Sequence, residues 1–238
     1  MLTCSNLLSG AVAVIMAIYD EYDMALLMII VAALFDFLDG FSARLLRVCS
    51  PIGKELDSLA DCISFGLAPS AMLFSYLSID LDWWALPALL MAAFSALRLA
   101  NFNLDERQTT SFLGLATPAN ALFWASLIAA LYTLDMAMPL WADIILLLSS
   151  FFSCYLLMSE MPFFSLKFHD YSFANNRLRY VFLIVDLLII VTAVIVSALT
   201  SVKLLPALEL AITSIILWYI LLNVLIACKH NNEETSKE

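Results

Sequence analysis

Apolar runs of about twenty residues follow one another almost without interruption along this chain, and nothing else in it limits the fold so strongly. A helix crossing the roughly 30 Å hydrocarbon layer needs about 20 mostly apolar residues, because no water is there to satisfy backbone groups left open. Eight such stretches can be read, at about 5–19, 23–47, 55–77, 83–102, 113–134, 138–159, 180–200 and 205–228. With 63% hydrophobic and 13% charged residues in 238, far more apolar surface exists than one water-soluble core could hide. The expected fold class is all-α, a polytopic membrane helix bundle of about eight transmembrane helices. Residues 1–228 then make a single transmembrane domain, and 229–238 a polar cytoplasmic tail.

The formal charge of −10 does not by itself name a partner, because orientation follows the positions of Lys and Arg and little else. A cytoplasmic N-terminus puts Arg44, Arg47, Lys54, Arg98, Arg107, Lys167, Arg177, Arg179, Lys229 and Lys237 at the inner side and only Lys203 outside. The outer turns then hold Asp20, Glu21, Asp23, Asp80, Asp82 and Asp135. Nucleic-acid binding gains no support from this distribution. The stretch 103–112 reads as a cytoplasmic loop, and 161–179, which mixes aromatics with cations, as an interfacial segment. No basic region precedes the first apolar run, so no cleavable leader is expected, and the abrupt start predicts residues missing before Met1.

Five cysteines, Cys4, Cys49, Cys62, Cys154 and Cys228, are scattered and never form a Cys-x-x-Cys pair, so they read as small apolar packers. His169 and His230 fall in polar segments, which argues against a metal site built on imidazole. Trp83, Trp84 and Trp141 lie near the ends of spans and read as interfacial belt residues. Asp186, alone in the seventh span, is expected to pair with a polar group of a neighbouring helix.

Four further aspartates are not scattered. Asp36 and Asp39 are three apart near the end of the second span, and Asp57 and Asp61 four apart near the start of the third, so each pair shares a helix face. Across an antiparallel hairpin the two pairs can meet. A carboxylate at mid-bilayer costs from about 2.5 to over 10 kcal/mol, so four together demand compensating positive charge. Hard oxygen donors favour Mg²⁺ or Mn²⁺, and two such ions are a common device for displacement at phosphorus. Gly40 and Gly53 permit close approach of backbone or ligand, and the planar fork of Arg44 suits a phosphate oxygen. Intramembrane aspartates also build proton relays and ion pathways. A divalent-metal or proton-coupled transporter therefore stays open, as do structural roles.

The run from Asp36 to Asp61, DFLDGFSARLLRVCSPIGKELDSLAD, resembles the signature of the CDP-alcohol phosphotransferases at every fixed position: D-x-x-D-G-x-x-A-R, eight residues, then G-x-x-x-D-x-x-x-D. Three more segments are similar to the branch that uses CDP-diacylglycerol and serine. They are Thr3 to Leu7 with Gly10, Arg98 to Asn103, and Phe112 to Ala119. Asn101 stands where that branch often has Arg, Ala116 where it has Pro, and Asn120 where a small apolar residue is usual.

The resemblance implies a multi-pass enzyme of the cell inner membrane, with its active site toward the cytoplasm. It would move the phosphatidyl group of CDP-diacylglycerol, drawn from bilayer lipid, onto L-serine and release CMP. Glycerol 3-phosphate or inositol is the alternative acceptor. It further implies that Asp36, Asp39, Asp57 and Asp61 hold two Mg²⁺ or Mn²⁺ ions, with Asp61 also the general base. Thr3, Asn6, Gly40, Ala43, Arg44 and Gly53 would shape the nucleotide site. Arg98, Asn101, Thr117 and Asn120 would bind serine or phosphate, and the enzyme would be a homodimer.

Overall fold

The computed structural model describes residues 1–46, 50–104, 112–134, 139–163, 176–200 and 202–235. Most of the expected loop at 103–112 and interfacial segment at 161–179 lies outside these, with Arg47, Cys49, Arg107, Asp135, Lys167, His169 and Lys237. The side chains of Cys228, Lys229 and His230 also lie outside the described set.

The described chain is helical almost throughout: α1 Leu2–Ile18, α2 Tyr22–Leu46, α3 Pro51–Asp61, α4 Ala68–Leu81, α5 Leu90–Leu104, α6 Thr117–Thr133, α7 Leu140–Met158, α8 Arg177–Leu199 and α9 Leu204–Thr235. A π-helical turn, Cys62–Leu67, joins α3 to α4, and a 3₁₀ stretch, Asp82–Leu89, joins α4 to α5. Two short strands, β1 Phe112–Leu113 and β2 Pro162–Phe163, pair antiparallel.

Among the described residues, five helical stretches are long and apolar enough to cross a membrane by length and composition. One is the 54-residue run Pro51–Leu104, which the sequence divides into two spans. That run doubles back. Asp82 adopts a left-handed φ of 51°, Pro87 lies in the 3₁₀ stretch, and the Asn103 amide donates to Ser58 Oγ at 2.7 Å across 45 residues. A straight helix of that length would separate them by about 68 Å. The 17-residue α1 is apolar but shorter than the five. At the other terminus, α9 stays helical to Thr235, beyond the expected boundary at 228, because no Gly or Pro follows Pro206 to stop it.

α1 packs along α2, α3, the π-helical turn and α4. Its buried stripe, Thr3, Asn6, Gly10, Ala13 and Ala17, recurs at spacings of three and four and is almost wholly small, which lets backbones approach. α6 is the central helix, touching α2, α4, α9 and the π-helical turn. Trp124, Ile128 and Ala125 of α6 join Ile29, Phe65 and Met72 in the main apolar cluster. α8 is peripheral: it packs mainly on α9 and buries only Phe182.

Lipid tails are as apolar as leucine, so packing and polar pairs, at about 0.6 kcal/mol each, hold such helices together. Trp124 Nε1 donates to Ser153 Oγ on α7 at 2.9 Å, Ser126 and Thr213 join α6 to α9 at 2.8 Å, and Thr133 donates to Asp23 on α2 at 2.9 Å. Trp83, Trp84 and Trp141 are all exposed, as belt residues should be. Asp186 does not fit its expectation, for its Oδ1 is buried without a hydrogen-bond partner among the described residues.

α3 begins at Pro51, ahead of the expected start at about 55. Ser50 Oγ accepts from Gly53 N at 3.0 Å, and Pro51 occupies the first turn, where no N–H is needed. Ser50→Ala is expected to cost about 1 kcal/mol, read as a lower midpoint of thermal unfolding in detergent.

Candidate active site

The carboxylates of Asp36, Asp57 and Asp61 converge, with one oxygen from each lying within 4.8 Å of the others. They come from separate helices, Asp36 from α2 and Asp57 with Asp61 from α3, where a spacing of four sets the latter two on one face. All three are half-buried. The buried guanidinium of Arg98 acts electrostatically on Asp61, yet three like charges still crowd a poorly solvated space. Hard oxygen donors in that state fit a divalent cation.

Asp39 is set slightly apart. The Thr3 hydroxyl on α1 donates a short hydrogen bond to Asp39 Oδ2, and the closest group of three excludes it. It still interacts electrostatically with Asp36 and Asp57. Asp61 is held in the same manner, since Asn6 Nδ2 donates to its Oδ1 at 2.9 Å. Thr3 and Asn6, expected at the nucleotide, thus spend their polar atoms on two of the aspartates.

Asn6 is wholly buried and fixed from behind. Ser64 Oγ lies 2.6 Å from Asn6 Oδ1 and 3.1 Å from the Asn6 carbonyl, and it also reaches the Ala60 carbonyl at 3.0 Å. Ser64 belongs to the π-helical turn, a feature often found at functional sites. Gly10 makes this contact possible: a Cβ there would sit 2.6 Å from Ser64 Cα. No motif position pointed to Ser64. A serine three residues after the last aspartate carries too little signal alone.

The remaining expected residues divide. A Cβ at Gly40 would meet nothing within 4 Å, so packing does not demand glycine there and the position opens onto free space. Ala43 is half-buried, and Arg44 is exposed with its Nε donating to the Gly40 carbonyl at 3.0 Å. Gly53 has a structural reason of its own as recipient of the Ser50 cap.

Arg98 on α5 is only 9% exposed, with Nε lacking a partner among the described residues, and it interacts electrostatically with Asp61. Thr117 and Asn120 are buried on α6, and neither amide atom of Asn120 finds a partner among the described residues. Asn101 is exposed at the end of α5. Ser95, one turn before Arg98, is a further buried hydroxyl without a partner among the described residues, and sequence reasoning missed it.

The chain is 35% identical over 119 residues to the CDP-diacylglycerol–serine O-phosphatidyltransferase of Bacillus subtilis, covering 50% of this chain and 67% of that protein. It is 34% identical over 124 residues to the protein of that name from Helicobacter pylori, covering 51% of this chain and 52% of the relative. For the Methanocaldococcus jannaschii protein of the same name the identity is 33% over 120 residues, covering 50% and 54%. The chain therefore spans about two-thirds of the first relative and about half of the other two. The sequence model of the CDP-alcohol phosphatidyltransferases matches residues 1–165, which contain the four aspartates, Thr3, Asn6 and Arg98. The chain belongs to the CDP-alcohol phosphatidyltransferase family.

Proposed function

We propose that this chain transfers the phosphatidyl group of CDP-diacylglycerol to the hydroxyl of L-serine, giving phosphatidylserine and CMP. The observation that carries the reading is the convergence of Asp36, Asp57 and Asp61 within the full family frame. The name shared by the relatives supports serine as the acceptor.

The proposed topology has eight passes with the N-terminus and the aspartate site in the cytoplasm, across the inner membrane. Arg44, Lys54 and Arg98 lie toward the aspartate end, whereas Asp20, Glu21, Asp23, Asp80 and Asp82 cluster at the far ends of the same helices. That distribution follows the positive-inside rule. The acyl chains stay among the lipid-facing helices while the diphosphate enters the polar space beside Gly40. The functional unit is a homodimer.

Two divalent ions, Mg²⁺ or Mn²⁺, would be held by Asp36, Asp39, Asp57 and Asp61, where they would supply positive charge to the diphosphate oxygens. Thr3 and Asn6 orient two of those carboxylates and keep them from collapsing onto other donors. Arg98, buried and lacking a partner for Nε, receives the serine carboxylate. Thr117 and Asn120 are further candidates for its polar atoms.

Asp61 takes the proton as the serine Oγ forms its bond to the lipid-linked phosphorus. The bond from that phosphorus to the bridging diphosphate oxygen breaks, and its electrons leave with CMP. A carboxylate suffices because proton transfer is partial in the transition state and a polarised site stabilises the forming alkoxide.

The test is CMP release by the purified protein in detergent micelles. CDP-dioleoylglycerol is supplied with Mg²⁺ or Mn²⁺ and serine, glycerol 3-phosphate or inositol in turn. Release is expected with serine and metal, and to stop with excess EDTA. Release with a different alcohol alone would move the acceptor, and none with any would overturn the reading.

A further inference from the structure

At the end of α5, Asn101, Phe102 and Leu104 are exposed while Asn103 between them is half-buried. Its Nδ2 donates to Ser58 Oγ of α3 at 2.7 Å. Ser58 in turn donates to the Lys54 carbonyl at 3.2 Å, so its single proton is spent within α3 and its lone pairs are left for the Asn103 amide. Lys54 closes the link from the other side. Its Nζ donates to the Asn103 carbonyl at 3.2 Å, an acceptor left open at a helix C-terminus, where a cation is favoured. Eight residues further along each strand of this pair, Gly66 of the π-helical turn meets Ser95 of α5, for a Cβ at Gly66 would lie 3.0 Å from Ser95 Cβ. The two contacts define one antiparallel register. Asp61 lies three residues inward of Ser58, and Arg98 five inward of Asn103. At 1.5 Å per residue these are about 4.5 and 7.5 Å, so the two groups differ by only about 3 Å in depth.

We propose that Asn103 is a positioning residue for the transfer, whose bond to Ser58 sets the depth of Arg98 against Asp61. The inference rests on the phosphatidyltransferase reading above. An acceptor whose carboxylate lies on Arg98 and whose hydroxyl reaches Asp61 spans both helices, so its fit depends on their register. The meeting of Gly66 with Ser95 is a contact of small groups, which limits how closely the helices approach but resists sliding weakly. A hydrogen bond is directional and loses strength as its partners move apart, so the link at Asn103 and Ser58 holds the register that the small residues leave loose. Misplacement of about 1 Å at a reacting group can cost around 100-fold in rate, so a modest slip of α5 is enough to matter. The aspartates themselves come from α2 and α3 and do not depend on this link.

The test is steady-state kinetics of Asn103→Ala, Ser58→Ala and the double variant in detergent micelles, varying serine and CDP-dioleoylglycerol separately. Each single variant is expected to lower kcat/KM for serine about tenfold or more. The double variant should fall no more than about twofold below the less active single one, because both substitutions remove the same bond. The KM for CDP-dioleoylglycerol should stay within about twofold of the parent in all three, which a general loss of structure would not allow. A parent-like kcat/KM for serine in both single variants, losses that multiply in the double variant, or a KM for CDP-dioleoylglycerol that rises in step would overturn the role of Asn103 alone. A parent enzyme that releases no CMP with serine and metal would instead overturn the underlying reading.

Discussion

Asp61→Asn is expected to lower kcat by roughly 10²- to 10⁴-fold, the usual contribution of a positioned general base. The substitution is nearly isosteric. A carboxamide oxygen can still accept from Asn6 Nδ2, which now lies 2.9 Å from Asp61 Oδ1, so the contact between α1 and α3 should survive. CDP-diacylglycerol binding should therefore weaken far less than turnover, because Asp36, Asp39 and Asp57 remain. Paired measurements of kcat and of CDP binding by titration calorimetry separate the two effects. Near-normal turnover in this variant would remove Asp61 from the role of base.

Gly10→Ala should do comparable harm from outside the carboxylate group. The added Cβ would lie 2.6 Å from Ser64 Cα and 2.4 Å from Ser64 Oγ, and a backbone atom cannot turn away as a long side chain can. α1 must then separate from the π-helical turn and carry Asn6 with it, loosening the bonds that hold Asp61. Overpacking of this kind costs about 1–3 kcal/mol. A displacement of about 1 Å at a reacting group can cost around 100-fold in rate. Thermal unfolding in detergent and turnover should therefore both fall. An unchanged midpoint with unchanged kcat would show that the close approach of Gly10 to Ser64 does not position Asp61.

These two sites show where sequence was sufficient. The aspartates were legible because a helix fixes the faces of residues three and four apart, and because carboxylates in an apolar run need an explanation. Their meeting in space followed from the hairpin those spans imply. Asp39 held by Thr3 was not legible, because a contact across 36 residues depends on how deeply α1 docks. Ser64 was hidden because it owes its place to a π-helical turn that no periodicity announces. The division of Pro51–Leu104 was legible from Asp80 and Asp82, whose charges mark a reversal inside one continuous stretch of helix.

The claim at the centre of this account is that the carboxylate group drives transfer of a phosphatidyl group to serine. Its most direct measurement is the incorporation of radiolabelled serine into chloroform-soluble lipid by the purified protein, with CDP-dioleoylglycerol and a divalent cation. One labelled product is expected, which migrates as phosphatidylserine, forms in equal amount to CMP, and is lost with EDTA or in Asp61→Asn. Label that stays in the aqueous phase while the folded parent protein releases CMP would contradict it.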